Sequence, residues 1–369
     1  MKQKLAILGA SYLQLPLFLK AKEMGVETHC FAWSEGAVCK DYSDYFYPIS
    51  ILEKELVLAK CEEVKIDGIT TIATDMAVPT ICYVAEKLNL TSNSYRSALI
   101  STNKWEMRNA FKKANCSIPN FVMADYSELN IEGLNFPLII KPIDRSGSRG
   151  ITKVNSIDLL YEATKYAIDE SFSKKAVVEE YVEGHEVSVE TISWNGIHSI
   201  LAITDKITTN APHFVELEHH QPSQLPIHIQ EKIKVETLKC LNALEINYGA
   251  SHSEFKVTSN NDVYVIEVGG RMGGDFIGSH LVELSIGYDF LKGVIDVALN
   301  QFQQPVFKST NYAGVYFLSK ETQHLVPFFN QNNYFDVQKK VHNLELKNLT
   351  NSNERSGYLI YQAKNKVSI

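Results

Sequence analysis

Two glutamates, Glu254 and Glu267, stand in the string SEFKVTSNNDVYVIEVGGRMGGD at a spacing that could do chemistry. Val257, Val263, Tyr264, Val265 and Ile266 are β-formers, and Ser259-Asn260-Asn261-Asp262 are turn formers. The segment therefore reads as strand, tight turn, strand. With Asn260-Asn261 at the centre of the turn, Ser259 pairs with Asp262 and Glu254 with Glu267. Opposed residues of an antiparallel pair point to one face. Two like charges there repel unless something positive sits between them. A hard divalent cation such as Mg²⁺, also bound to phosphates, would fill that role. The alternative is two solvated glutamates on a polar sheet face. The second strand runs into Gly269-Gly270-Arg271-Met272-Gly273-Gly274-Asp275, where backbone N–H groups can approach an anion closely and Arg271 can pair with it. That context favours the cation. A one-residue register slip would put the two carboxylates on opposite faces.

Three further segments could face a phosphorylated ligand. Lys141 ends the apolar strand FPLIIKP and precedes DRSGSRG, residues 144–150. Ser146, Gly147, Ser148 and Gly150 can present N–H and hydroxyl groups to phosphate oxygens, and Arg145 and Arg149 add positive charge. The spacing is not that of a P-loop, and a flexible linker reads equally well. Lys104 opens the helix KWEMRNAF, an end where the helix dipole disfavours a cation, so it is either a solvated lysine or one with a role. In AVVEEYVEGHE an apolar run ends at Glu179-Glu180. A strand leaving the core can offer backbone groups to an adenine edge, and nearby carboxylates can accept from an amine and from ribose hydroxyls. Taken alone, a pair of strand-edge acids is the plainer reading.

The elements that must position these residues alternate. Strands at 5–8, 28–33 and 68–74 are separated by helices at about 15–24 and 52–65 and followed by one at 78–88, as in a doubly wound parallel sheet. The first turn, GAS, lacks the G-x-G-x-x-G pattern and reads as a plain strand–helix turn. A helix at about 104–114, strands at 136–142, 151–154 and 176–181, and a helix at about 157–169 come next. Residues 184–194 alternate as a half-exposed strand does. Residues 208–226, with their prolines and histidines, read as a long loop. Helices follow at about 229–244 and 285–298, and short strands with asparagine-rich turns from about Pro305 onward.

The 369 residues are 45% hydrophobic and 21% charged with a net charge of −7, a composition that favours neither nucleic acid nor an anionic membrane as partner. No run of about 18 apolar residues exists. Six scattered cysteines form no C-x-x-C pair, which suits free thiols in a reducing cytoplasm.

Together and in this order, IIKPIDRSGSRGI, VVEEYVEGHEVSVE and HSEFK…YVIEVGGRMGGD resemble the ATP-grasp superfamily of carboxylate–amine ligases over about Leu5 to Ala298. TTNAPHFVELEHHQPSQLP and EVGGRMGGD are similar to its bacterial L-amino acid (dipeptide) ligase branch. The resemblance implies an α/β ATP-grasp fold in three parts. These are an N-terminal doubly wound parallel α/β domain (1–95), an ATP-grasp domain of two lobes (96–300) and a small C-terminal α+β subdomain (301–369). It implies ATP with Mg²⁺, or Mn²⁺, as cofactors, and small carboxylate and amine substrates; homodimers are frequent in the family. Lys104 and Lys141 would contact the phosphates and loop 144–150 would close over them. Glu179 and the backbone of Tyr181 and Val182 would hold adenine, and Glu186 the ribose. Glu254 and Glu267 would carry the metal, Arg271 would stabilise the reacting acyl group, and His219 would lie near the substrate. Many members carry asparagine where this chain has Gly269; in the amino acid ligase branch glycine is usual. The rival readings are a purine-synthesis ligase using formate or bicarbonate, and a nucleotide-binding module without catalysis.

Overall fold

The structure is a computed structural model that describes residues 2–127, 129–147, 149–209 and 211–369. Strands β1 (Lys4–Leu8), β2 (Glu27–Phe31), β3 (Tyr45–Tyr47) and β4 (Gly68–Thr70) form a parallel sheet in the order β3-β2-β1-β4. Helix α1 (Leu15–Glu23) connects β1 to β2, α2 (Lys54–Val64) connects β3 to β4, and α3 (Val78–Leu88) follows β4. Along β1, Leu5 and Ile7 pack with Leu17 and Phe18 of α1, while Ala6 and Leu8 pack with Val57 of α2 and Val84 of α3. The period-2 alternation of a doubly covered strand thus produces two buried faces.

Helices α4 (Tyr95–Thr102) and α5 (Lys104–Lys113) lead into a second sheet. Its strands β5 (Phe121–Ala124), β6 (Leu138–Pro142), β7 (Thr152–Val154) and β8 (Ala176–Glu180) are antiparallel in the order β5-β8-β6-β7. Helix α6 (Leu160–Glu170) covers it through Ala163, Ala167 and Ile168, packed on Leu138, Ile140 and Val178.

The third sheet has eight antiparallel strands in the order β13-β12-β9-β10-β11-β14-β16-β15. They are β9 (His185–Trp194), β10 (Ile197–Thr208), β11 (Glu216–Gln221), β12 (Gly249–Val257), β13 (Val263–Gly269), β14 (Tyr312–Leu318), β15 (Asp336–Val341) and β16 (Gly357–Ala363). Helices α7 (Ile227–Ala243), α8 (Val282–Ile286), α9 (Phe290–Ala298) and α10 (Val326–Phe329) complete the chain. Phe255, Val257 and Val265 pack with Ile229, Ile233 and Leu241 of α7 on one face.

Several expectations change here. Residues 208–226 are not one long loop: β11 lies within them, between β10 and β14. Its sequence, ELEHHQ, has no β-branched or aromatic residue, so pairing on both sides, not propensity, makes it a strand. Strand β9 is buried from Val187 to Ser193, not half-exposed. Its polar residues alternate as read, but they are covered, and Glu186 at its start lines an interior cleft. The helix expected over 285–298 is two, α8 and α9, broken at Gly287 with φ 70°. The strands of residues 301–369 continue the central sheet through β14.

Candidate active site

One cleft of about 700 Å³ gathers residues from the second and third sheets and from the loops after β1 and β4. Its floor is a polar face of the eight-stranded sheet. Glu186, Ser188 and Glu190 of β9 pair with Lys256, Glu254 and His252 of β12, and Lys206 of β10 pairs with Glu186. Residues two apart on a strand share a face, which is why these charges converge.

Glu254 and Glu267 are cross-strand partners, as the spacing implied. The path to that register differs. Near the turn, Val257 pairs with Val263 and Phe255 with Val265, one residue out of the expected phase. The Thr258–Asp262 turn has Thr258 and Asn261 as its hydrogen-bonded ends, with Asn261 at φ 64°. A bulge then inserts Ile266, and the pairing resumes at Glu254 with Glu267. The Ile266 carbonyl, released from the ladder, accepts Arg108 Nη2 at 2.7 Å. The positive charge between the glutamates is supplied by lysines: Lys104 Nζ lies 2.7 Å from Glu267 Oε1 and Lys206 Nζ 2.6 Å from Glu254 Oε1. His252 Nε2 lies 3.3 Å from the same Glu254 oxygen. Burial opposes its charge, yet Glu190 and then Glu254 hold the imidazole up at about 9.

Among the described residues no group of three His, Cys, Asp or Glu could hold a metal alone. Two partly exposed carboxylates on adjacent strands are nonetheless an oxygen donor pair that fits Mg²⁺, an ion that takes one or two carboxylates beside phosphate oxygens and water. The donors are oxygen only, which fits that ion.

Glu179 requires a correction. Its carboxylate does not face a ligand: it is buried between Arg108 (Nε 2.6 Å, Nη2 3.1 Å) and Lys141 (Nζ 2.8 Å). Burial pushes its pKa up, but Arg108 and then Lys141 outweigh that and hold it down at about 2. Glu179 thus fixes Lys141 instead of binding adenine. Beyond it the chain leaves the sheet. The Tyr181 N–H is spent on the Pro137 carbonyl at 2.8 Å, while the Val182 N–H has no partner among the described residues. Glu186 lines the cleft and pairs with Lys206 at 2.9 Å.

Lys104 begins α5 behind an Asn103 cap and turns its amine into the cleft, where the Arg145 carbonyl also accepts from it at 2.9 Å. In loop 144–150, Ser146, Gly147, Arg149 and Gly150 line the cleft, and Ser148 lies outside the described residues. The loop base is tied down. Asp144 accepts from Ser171, Phe172 and Ser173, and Arg145 donates to the Glu170 carbonyl at 2.6 Å and lies 3.8 Å over the Phe172 ring. Gly150 sits at φ 72°, and a Cβ there would meet Pro142 Cγ at 2.6 Å. Gly147, at φ 69°, faces open space.

Arg271 makes a two-point pair with Asp75, Nε–Oδ1 and Nη2–Oδ2 both 2.8 Å. Asp75 follows β4 of the N-terminal sheet, and the same junction pairs Ala73 N–H with the Met272 carbonyl at 3.1 Å. His219 is not in a surface loop. It is fully buried on β11, and burial holds its ring down at about 4, against the pull of Asp275.

The sequence reading missed Lys206, His252 and Asp75, which line the cleft, and Arg108 and Glu190, buried behind it on Glu179 and His252. Arg108 lies four residues beyond Lys104 on α5, and His252 two before Glu254 on β12, so shared-face periodicity could have found both. For Asp75 there is only its place just past a parallel strand.

Residues 134–279 match the family model of the ATP-grasp domain. The chain has the ATP-grasp fold. A solved L-amino acid ligase from Bacillus licheniformis has a TM-score of 0.80 at 21% identity, over 99% of this chain and 94% of that one. A phosphoribosylglycinamide synthetase from Anaerococcus prevotii also gives 0.80, at 22% identity over 99% and 95%. By sequence, alanine–anticapsin ligase of Bacillus subtilis (strain 168) is 25% identical over 271 residues, 64% of this chain. The match takes in 57% of that relative's length, so the chain spans only about half of it. Among the described residues no helix is long and apolar enough to cross a membrane.

Proposed function

We propose that this protein is an ATP-dependent carboxylate–amine ligase that activates a small carboxylate, an amino acid, as an acyl-phosphate and joins it to an amine with release of ADP and phosphate. The observation that carries the reading is convergence. Lys104, Lys141, loop 144–150, Glu254, Glu267 and Arg271 come from separate elements and meet on one cleft. Phosphoryl transfer asks a protein mainly for positioning and charge neutralisation.

In this reading Lys104 and Lys141 meet phosphate oxygens, and Gly147 presents its backbone N–H to them. The Val182 N–H is the free donor for the adenine edge, and Glu186, which shares Lys206 with Glu254, accepts from ribose. Glu254 and Glu267 would hold Mg²⁺, or Mn²⁺, whose chemistry is to offset phosphate charge. Arg271, anchored by Asp75, faces charge as it develops on the acyl group. The loop excludes water, which would otherwise hydrolyse the acyl-phosphate.

A purine-synthesis reading needs a site for a ribose phosphate. At the substrate end Arg355 is bound by two carboxylates, Asp275 Oδ2 and Glu216 Oε2, at 2.8 and 2.9 Å, which argues for an amine-bearing substrate instead. Six cysteines, all buried and free, are in keeping with a cytoplasmic setting. The test is phosphate release with ATP, Mg²⁺ and pairs of amino acids, followed by mass spectrometry. The expected product is a condensate lighter than its components by one water. Release that requires formate or bicarbonate would favour the purine reading, and ATP binding without release a non-catalytic module.

A further inference from the structure

Lys206 stands on the cleft floor with its side chain 3% exposed. Its partners come from three other strands. Nζ lies 2.6 Å from Glu254 Oε1 on β12, 2.9 Å from Glu186 Oε1 on β9 and 4.0 Å from Glu216 Oε1 on β11. The side chain therefore reaches across β9 to a strand that does not pair with its own. All three partners are carboxylates. Lys104, on Glu267, differs: its second acceptor is the neutral Arg145 carbonyl of loop 144–150.

The other charges packed around these groups are matched as well. Glu254 also faces His252 at 3.3 Å, and His252 is shared with the buried Glu190. Glu186 faces Lys256 at 3.7 Å. Glu216 and Asp275 divide Arg355, at 2.9 and 2.8 Å. Each carboxylate thus has a cation before any ligand arrives, and a bare Mg²⁺ gains little there. On Glu254 Oε1 the ion would lie within about 5 Å of the Lys206 ammonium, because its own bond to oxygen is about 2.1 Å. At equal distance an ammonium repels a dication as strongly as a carboxylate attracts it, and burial keeps salt and water from screening the pair. A nucleotide changes the balance. Its phosphates bring several negative charges, draw Lys104 from Glu267 and offer the ion further oxygens.

We propose that Lys206 is a resident counter-cation that keeps a free divalent ion off Glu254, so that the metal binds only together with the nucleotide. This rests on the nucleotide and metal roles proposed above and adds an order of binding to them. Coupling is reciprocal: the factor by which nucleotide tightens the metal is the factor by which the metal tightens nucleotide.

Binding of Mn²⁺ tests this without turnover. Water-proton relaxation enhancement rises when the ion tumbles with the protein, and it is followed with and without a non-hydrolysable ATP analogue. Wild type alone should bind Mn²⁺ with a dissociation constant of about 1 mM or weaker, and at least about 30-fold more tightly once the analogue is present. Lys206→Gln should tighten the analogue-free value by about 30-fold. Lys206→Arg, which keeps the charge, should behave as wild type does. Adding Glu254→Gln to Lys206→Gln should abolish the gain, which assigns the ion to Glu254. Tight analogue-free binding by the wild type overturns the proposal whatever the variants do. So does a Lys206→Gln protein that melts cooperatively and gains nothing, as a purely structural lysine would have it. A Lys206→Arg protein that gains as much as Lys206→Gln overturns it too. No enhancement in the wild type even at saturating analogue would sink the metal roles themselves, and the proposal with them.

Discussion

Two charged clusters, one buried behind the wall of this cleft and one on its floor, behave oppositely. Around Glu179 the charges are closed: the side chain is 2% exposed and both carboxylate oxygens are taken by Arg108 and Lys141. Around Glu254 and Glu267 the charges are open: the side chains are 26% and 34% exposed, each leaning on a lysine. A buried, saturated triad has no capacity for a ligand, and removing one member strands the others. A half-exposed carboxylate held by a flexible lysine can exchange that partner for a cation as the lysine moves to a phosphate. In the proposed function the same residue type thus builds the frame in one place and the binding surface in the other. The Ile266 bulge connects them, since Arg108 holds both Glu179 and the carbonyl that the bulge releases.

Breaking the closed cluster should have the largest effect. Glu179→Gln leaves Arg108 and Lys141 uncompensated and is expected to cost about 3–5 kcal/mol of folding stability, read by urea unfolding. Glu267→Gln should invert the pattern. Phosphate release should fall about 100-fold while stability changes by about 1 kcal/mol or less. An equal stability loss in both variants would erase the distinction.

Acid should sharpen it. Glu179 is held from its ordinary 4.5 down to about 2, so its contribution is complete above pH 4.5 and lost as pH falls through about 2. Between those values the unfolded chain binds the extra proton. The loss is at most about 3 kcal/mol, and Glu179→Gln should flatten that part of the stability curve. The smallest effects belong to the loop above the open cluster. Gly150→Ala meets Pro142 and Glu170 at a positive φ and should cost about 2 kcal/mol by thermal melting. Gly147→Ala, with the same strain and no neighbour, should cost about 1 kcal/mol and mainly weaken ATP binding.

The sequence made the open cluster readable and concealed the closed one. Glu254 and Glu267 could be paired because a hairpin is local and its turn residues are explicit. Even so, the turn sits one residue out of the expected phase, and the bulge that restores it answers to Arg108, a residue 158 positions away. Glu179 was misassigned because a carboxylate at a strand end looks alike whether it meets water, a nucleotide or two buried cations. Burial and partners, set by α5 and β6, decide the matter. The N-terminal α/β order was legible from alternating strand and helix signals, whereas β11 exists only through its neighbours. Asp75 could not be tied to Arg271 without the docking of the N-terminal sheet on the glycine-rich loop.

The central claim is that Glu254 and Glu267 are exchangeable ligands at a nucleotide site. Calorimetric titration of ATP into the protein, with Mg²⁺ and with chelator, tests it most directly. Binding should tighten with Mg²⁺ by about 10-fold or more in the wild type, and the gain should vanish in a Glu254→Gln/Glu267→Gln double variant that still melts cooperatively. ATP binding that is equally tight with chelator, or a Mg²⁺ gain that survives the double variant, would contradict it.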